Sequence, residues 1–184
     1  MKMPVLFTID FESVNVYGDE WIAYAALVMD SASGAVLERL FRAVRRFGMD
    51  APQRVFWTRH NAALTYLMRQ VNPAASVVDL EIELAEFVRR LHEKYPTLQL
   101  VGDNPVFDFA ILNGIMQRTG RLPANYRHGS GAYAFVRDVS SLPRPSADEV
   151  AALMRRNGMT DSVLPHTPVF DAMRVLMCCA GMKT

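Results

Sequence analysis

The order of apolar and polar positions divides this chain into strands and helices before any chemistry is considered. Val5-Leu6-Phe7-Thr8-Ile9-Asp10-Phe11-Glu12 is apolar until its end, where two acids fall two residues apart. Strand side chains alternate faces, so Asp10 and Glu12 share one face and Ile9 and Phe11 the other. Trp21 to Met29 is a second apolar, aromatic run, set off by turn residues at 15–19 and at Ser31-Ala32-Ser33-Gly34. Ala35 to Phe47 alternates Val36, Leu40 and Val44 with Glu38, Arg39, Arg42, Arg45 and Arg46, which predicts a third strand, Ala35–Val44, with a basic outer face. Short turns between three such strands predict an antiparallel meander.

Beyond the meander the period changes. The stretch from Asp50 to Val78 is irregular, with loops around Pro52 and Asn72-Pro73 and one helical piece near Ala62–Gln70. Asp79 to Tyr95 carries Leu80, Leu84, Phe87, Val88 and Leu91 at helical spacing and predicts an amphipathic helix stopped by Pro96. Leu98 to Gly102 has the form of a buried parallel strand, and it leads into Asp103-Asn104-Pro105 and a helix ended by Gly120. Residues 121–134 predict an irregular loop, followed by a strand at Ala134–Val139. A helix from Ser146 to Asn157 opens with a capping box, Ser146 and Glu149. The last helix begins at Pro168 and runs to Gly181. These elements predict one α/β domain over residues 1–184: the meander, parallel strands added to its first strand, and helices on both faces.

Composition narrows the function classes without naming one. With 184 residues, 51% apolar and 21% charged, the chain is of ordinary globular type, and a net charge of +1 excludes a broad basic surface for polyanions. Any nucleic-acid contact must then be local or carried by metal. Cys178 and Cys179 are adjacent and read as reduced thiols on a helix, and the short N-terminal apolar run, broken by Asp10 and Glu12, is unlike a leader. A cytoplasmic protein with no membrane association is expected.

Candidate chemistry begins with the two acids. Like charges on one strand face repel unless a cation lies between them, although a strand end entering a solvated turn has the same appearance. The deciding feature is an internal repetition: Asn104-Pro-Val-Phe-Asp108 and Thr167-Pro-Val-Phe-Asp171 share a capping residue, a proline, an apolar pair and an aspartate. Each aspartate should lie about one turn inside its helix, where the helix dipole favours the ionised form and a low pKa. His166 stands five residues before Asp171, in the loop ahead of the helix, free to swing over a bound water. His60, His92 and His128 read as structural or surface histidines, and Asp103 as a helix-entry residue.

Asp-x-Glu on the first strand, Asn-x-x-x-Asp on a central helix and His-x-x-x-x-Asp on the last resemble the three motifs of the DEDDh 3′-to-5′ exonucleases, whose fold is ribonuclease H-like. The resemblance runs from Thr8 to Ala172, and length and layout are similar to the small RNase T-like exoribonucleases. It implies a two-metal site for Mg²⁺ or Mn²⁺ held by Asp10, Glu12, Asp108 and Asp171. Asp10 would bridge both ions, Glu12 and Asp171 would complete the ion that holds the water, Asp108 would serve the other, and His166 would be the general base. It also implies substrate contacts at Ser13, Val14, Asn104 and Phe109, with Val14 and Phe109 against a 3′-terminal base, although core packing is the stronger reading of Phe109. Ser13-Val14-Asn15 departs from the Thr-Thr-Gly of many relatives. The implied substrate is a single-stranded 3′ end, RNA slightly ahead of DNA because the near-neutral charge suits short terminal contacts, and a homodimer is common among such enzymes. A catalytically weak binding or partner subunit on the same fold is the alternative, and a phosphatase on another α/β fold a third.

Overall fold

In the computed structural model the described residues are 4–15, 20–45, 48–121, 136–159 and 164–181. The meander forms as the pattern requires. Strands β1 (Val5–Ser13), β2 (Trp21–Asp30) and β3 (Val36–Ala43) pair antiparallel, β2 in the middle. Strand β4 (Gln99–Gly102) joins β1 in parallel, and a two-residue β5 (Arg137–Asp138) joins β4 in parallel, giving the order β3-β2-β1-β4-β5. The observed β3 is shorter at both ends than its alternation suggested. The predicted turn at 15–19, the end of the third run at 46–47, the loop at 121–134 with His128, and the start of the strand at Ala134 fall wholly or largely outside the described residues.

Alternation along β1 separates two cores. Phe7, Ile9 and Phe11 join Tyr24, Ala26 and Val28 of β2 beneath helices α3 (Val77–Lys94) and α4 (Pro105–Thr119), meeting Leu84, Leu91, Phe109 and Ile115. On the opposite face Leu6, with Ala25, Leu27 and Met29, packs on α5 (Ala147–Arg156) and α6 (Pro168–Ala180) through Val150, Leu153, Phe170, Met173 and Leu176. Helices therefore cover both faces, and β2 is buried along almost its whole length because neither face meets water. Burying a side chain such as Phe109 contributes roughly 1.5–3 kcal/mol.

A third cluster lies under two short helices, α1 (Ala51–Arg59) and α2 (Asn61–Arg69), where Trp57, Ala63 and Leu67 cover Val14 and Ile22. Helix α1 corrects the reading of an irregular stretch around Pro52. Asp50 caps it by accepting from Gln53 N–H at 2.8 Å, and Pro52 lies in its first turn, where a missing N–H costs nothing. The helix escaped pattern reading because Trp57 is its one buried residue, too little for a visible stripe. Similarly, α3 begins at Val77 on a Ser76 cap rather than at Asp79.

The edge strand β3 is held to α3 by charge. Arg42 pairs with Glu83, its Nε donating to Oε2 at 2.7 Å, and Glu38 accepts from Lys94 at 2.9 Å and from the Tyr95 hydroxyl at 3.0 Å. Part of the basic face expected of this strand is therefore engaged with acids. Among the described residues no helix is long and apolar enough to cross a membrane.

The turn from β4 into α4 fixes where the site forms. A Cβ on Gly102 would lie 2.8 Å from Pro105 Cβ, 3.2 Å from Pro105 Cα and 3.3 Å from the Phe109 ring, so only glycine lets the helix start this close to the strand. Gly102→Ala is therefore expected to force α4 off β4, lowering stability by about 1–3 kcal/mol as seen in thermal melts. An unchanged melting temperature would show that the close approach is not required.

Candidate metal centre

Three elements deliver carboxylates to one place at the carboxyl end of β1. Asp10 and Glu12 project from the face of β1 that packs on α6, and Asp171 lies in the first turn of α6. One oxygen from each of these three residues lies within 4.8 Å of the others, a spacing at which a single ion can be shared. Asp108, in the first turn of α4, approaches from the other side of the strand, where its Oδ1 accepts the Phe11 backbone N–H at 2.9 Å. The sequence-predicted acids thus converge, and Asp108 is held by a backbone bond that no spacing rule suggests.

The electrostatics run opposite to the helix-dipole expectation. Burial is the largest influence on every one of these acids and pushes each upward. Asp108 is raised to about 7, with the Phe11 N–H pulling back and the charges of Asp103 and Asp171 adding to the rise. Asp10 is raised well above the carboxylate range by burial and then by Asp108, Glu12 and Asp171, and Glu12 likewise by burial, Asp171 and Asp108. Asp171 is raised by burial against the opposing pull of Arg174. Desolvation and mutual repulsion outweigh the favourable field of a helix start.

The capping residues also differ from expectation. Asn104 and Thr167 occupy the N-cap positions of α4 and α6, yet neither side chain makes the capping hydrogen bond. Asn104 is left-handed, φ 53°, and exposed, and the Thr167 hydroxyl donates to Leu164 C=O at 2.7 Å. Both turns serve to redirect the chain and bring the following aspartate inward.

Asp171 Oδ1 is buried without a hydrogen-bond partner, while the Arg174 guanidinium, one turn on, lies 3.0 Å away but off the hydrogen-bonding direction. An orphaned carboxylate oxygen beside two more acids, with oxygen as the sole donor type, suits Mg²⁺ or Mn²⁺. The residues present therefore fit a divalent metal. Asp103 contributes charge to the site as well, since it raises Asp108 and Asp171, and it is itself paired with Arg144 at 3.0 Å.

His166 lies just before α6 with a left-handed backbone, φ 61°, and its N–H bonds to Asp171. Burial lowers its imidazole pKa, opposed by Asp171 and reinforced by His60 and Arg174. Its ring is not free in a loop: the His60 ring centroid is 3.9 Å away and that of Phe56 5.5 Å. His60 and Phe56 were not legible from spacing, because a contact across more than a hundred residues leaves no local signal. Arg174 was also not singled out, though its spacing could have shown it, since i and i+3 share a helix face.

The expected substrate contacts fare differently. Val14 and Phe109 are both 0% exposed, the first among Trp57, Ala63 and Leu67, the second edge-on to Phe7 at 6.5 Å, so neither offers a surface to a base. The Ser13 hydroxyl is buried and donates to Asn15 C=O at 2.7 Å, closing a local turn rather than facing a ligand. Asn104, exposed at the start of α4, keeps a side chain that faces water.

Sheet order, helices on both faces and acids at the end of β1 define an α/β protein of ribonuclease H-like fold with a candidate metal centre. Among solved structures the chain is similar to E. coli exonuclease I in a zinc-bound complex with single-stranded DNA, with a TM-score of 0.54 and 14% identity over 98% of this chain and 40% of that one. The same enzyme with a 5cy-dT13 oligonucleotide gives a TM-score of 0.56 and 13% identity over 97% and 40%. An exonuclease I complex with SSB-Ct gives 0.52 and 15% over 97% and 40%. The chain therefore spans about two-fifths of the length of these proteins, and the likeness is one of fold. No protein-family model matches the chain. No curated protein matches it either.

A carboxyl raised by folding binds its proton more tightly in the native than in the unfolded chain, so metal-free stability falls as pH rises toward the native pKa. For Asp108 that window runs from about 4 to about 7. Asp108→Asn keeps an oxygen for the Phe11 N–H and removes the charge. Without metal it should melt higher than the parent at pH 7.5 and alike at pH 4, and millimolar Mn²⁺ should raise the parent more than the variant. Equal melting at both pH values would show that Asp108 carries no buried charge.

Proposed function

We propose that this chain is a metal-dependent 3′-to-5′ exonuclease that hydrolyses phosphodiester bonds at single-stranded ends. The observation that carries the reading is the convergence of Asp10, Glu12 and Asp171 within 4.8 Å, with Asp108 and His166 beside them. The same five residues compose the ordered motifs of the exonuclease family that the sequence resembles. The fold shared with exonuclease I, solved with single-stranded DNA, supports a single strand as substrate. A net charge of +1 supports contacts confined to the strand end, RNA ahead of DNA.

Asp10, Glu12 and Asp171 would hold one ion and Asp108 would complete the site of a second, with Asp10 shared. Two Mg²⁺ or Mn²⁺ ions there supply charge neutralisation at the phosphate and a water that ionises near neutral pH. The acids, raised by burial, give up their protons as cations bind, so occupancy should strengthen with pH through the region near 7 where Asp108 titrates. His166, whose imidazole pKa burial lowers, would accept the water's proton at a ring nitrogen, and its backbone N–H bond to Asp171 keeps it beside the ligands. Asn104, exposed at the start of α4, would meet the terminal nucleotide.

The test is digestion of end-labelled single- and double-stranded RNA and DNA with Mn²⁺, with and without EDTA. Asp10→Ala and Asp171→Ala should remain folded and lose hydrolysis, and His166→Ala should lower turnover by roughly 10²–10⁴ with little change in metal-induced stabilisation. Full activity in Asp10→Ala would sink the proposal. Retention of a labelled strand without cleavage by the parent chain would favour a binding subunit instead.

A further inference from the structure

We propose that His60 is a positioning residue for His166: together with Phe56 it forms an aromatic seat that fixes the direction of the His166 imidazole. The inference rests on His166 acting as the proton acceptor. Its starting point is the left-handed backbone of His166, φ 61°, a conformation unfavourable for a side-chain-bearing residue and maintained only where the surroundings enforce it.

The surroundings are specific. The His60 and His166 rings are tilted by 48° with centroids 3.9 Å apart, and the Phe56 ring meets His166 edge-on, at 86° and 5.5 Å. Phe56 and His60 also pack on each other at 4.5 Å, so the three rings form one group. A histidine in a loop ordinarily samples several rotamers, and this contact removes that freedom before substrate arrives.

The seat is tied to the acids through the backbone. His60 ends α1 and starts α2: its N–H bonds to Phe56 C=O at 3.1 Å and its C=O accepts Leu64 N–H at 3.1 Å. Phe56 packs edge-on against Trp57 at 5.0 Å, and Trp57 Nε1 donates to Ser13 C=O at 3.2 Å, at the end of the strand that carries Asp10 and Glu12. The imidazole and the carboxylates are thereby set in one frame, the first from α1 and the second from β1. Such coupling matters because an error near 1 Å in a catalytic group can cost on the order of 10²-fold in rate.

The experiment is a double-mutant cycle in the full chain, read by steady-state nuclease kinetics with Mn²⁺. His60→Ala should lower kcat about ten-fold with KM unchanged, and His60→Phe, which restores a ring, should recover most of the loss. In a His166→Ala background His60→Ala should cost nothing further. Equal losses in both backgrounds, no loss at all, or no recovery with Phe would each overturn the proposal. A second readout needs no activity: the ring-proton NMR signals of His166 should move toward free-imidazole positions in His60→Ala at unchanged melting temperature, and unmoved signals would also overturn it. A parent chain that cleaves no strand would sink the nuclease reading, and with it the positioning role, while the NMR shift would report separately on the seat.

Discussion

Three carboxylates crowd within 4.8 Å at a place where burial disfavours their charge, and much of the structure exists to hold them there. An isolated strand would swing such groups apart into water. Here β1 is locked between β2 and β4 and clamped by helices on both faces, so Asp10 and Glu12 stay where the alternation of the strand puts them. The cost of crowding shows in the upward shifts of the acids and is offset partly by Arg174 beside Asp171. A divalent cation would relieve the same repulsion more completely, and Asp171 Oδ1, beside Arg174 yet without a hydrogen bond, marks where relief is incomplete.

What the sequence reveals of this arrangement follows from periodicity. The meander, the parallel β4, helices α3 to α6 and the coplanar direction of Asp10 and Glu12 are all consequences of period-2 and period-3.6 patterns. The repeated Pro-Val-Phe-Asp pentad places Asp108 and Asp171 correctly one turn into their helices. Other features are set by tertiary contact and have no local trace. Helix α1 buries a single residue and so shows no stripe, and the three-ring group joins residues from opposite parts of the chain. The direction of the acid shifts was misjudged for a related reason: a helix start is visible in sequence, but the depth at which its aspartate is desolvated is not. Val14 looked available to a base because its apolar character was legible and its burial beneath Trp57 was not, whereas the core reading of Phe109 agrees with its packing against Phe7.

The site is also asymmetric in how its charges are balanced. Asp171 and Asp103 each have an arginine at 3.0 Å, Arg174 and Arg144 respectively, whereas Arg174 is only the weakest influence on Asp10, and Glu12 is raised by burial, Asp171 and Asp108. Arg144 comes from the segment between β5 and α5 and Arg174 from α6, so two segments distant from β1 in sequence supply cations to the acidic cluster.

The Phe11 amide links these levels. Strand β4 pairs with β1 only at Leu6–Gln99 and Phe7–Leu100, so farther along β1 the amide of Phe11 turns to a carboxylate ninety-seven residues away. Its proton is shielded from solvent by the contact that seats α4 against β1, and by no neighbouring strand. Hydrogen–deuterium exchange at this one position therefore reads the docking of α4 separately from the fraying of the sheet.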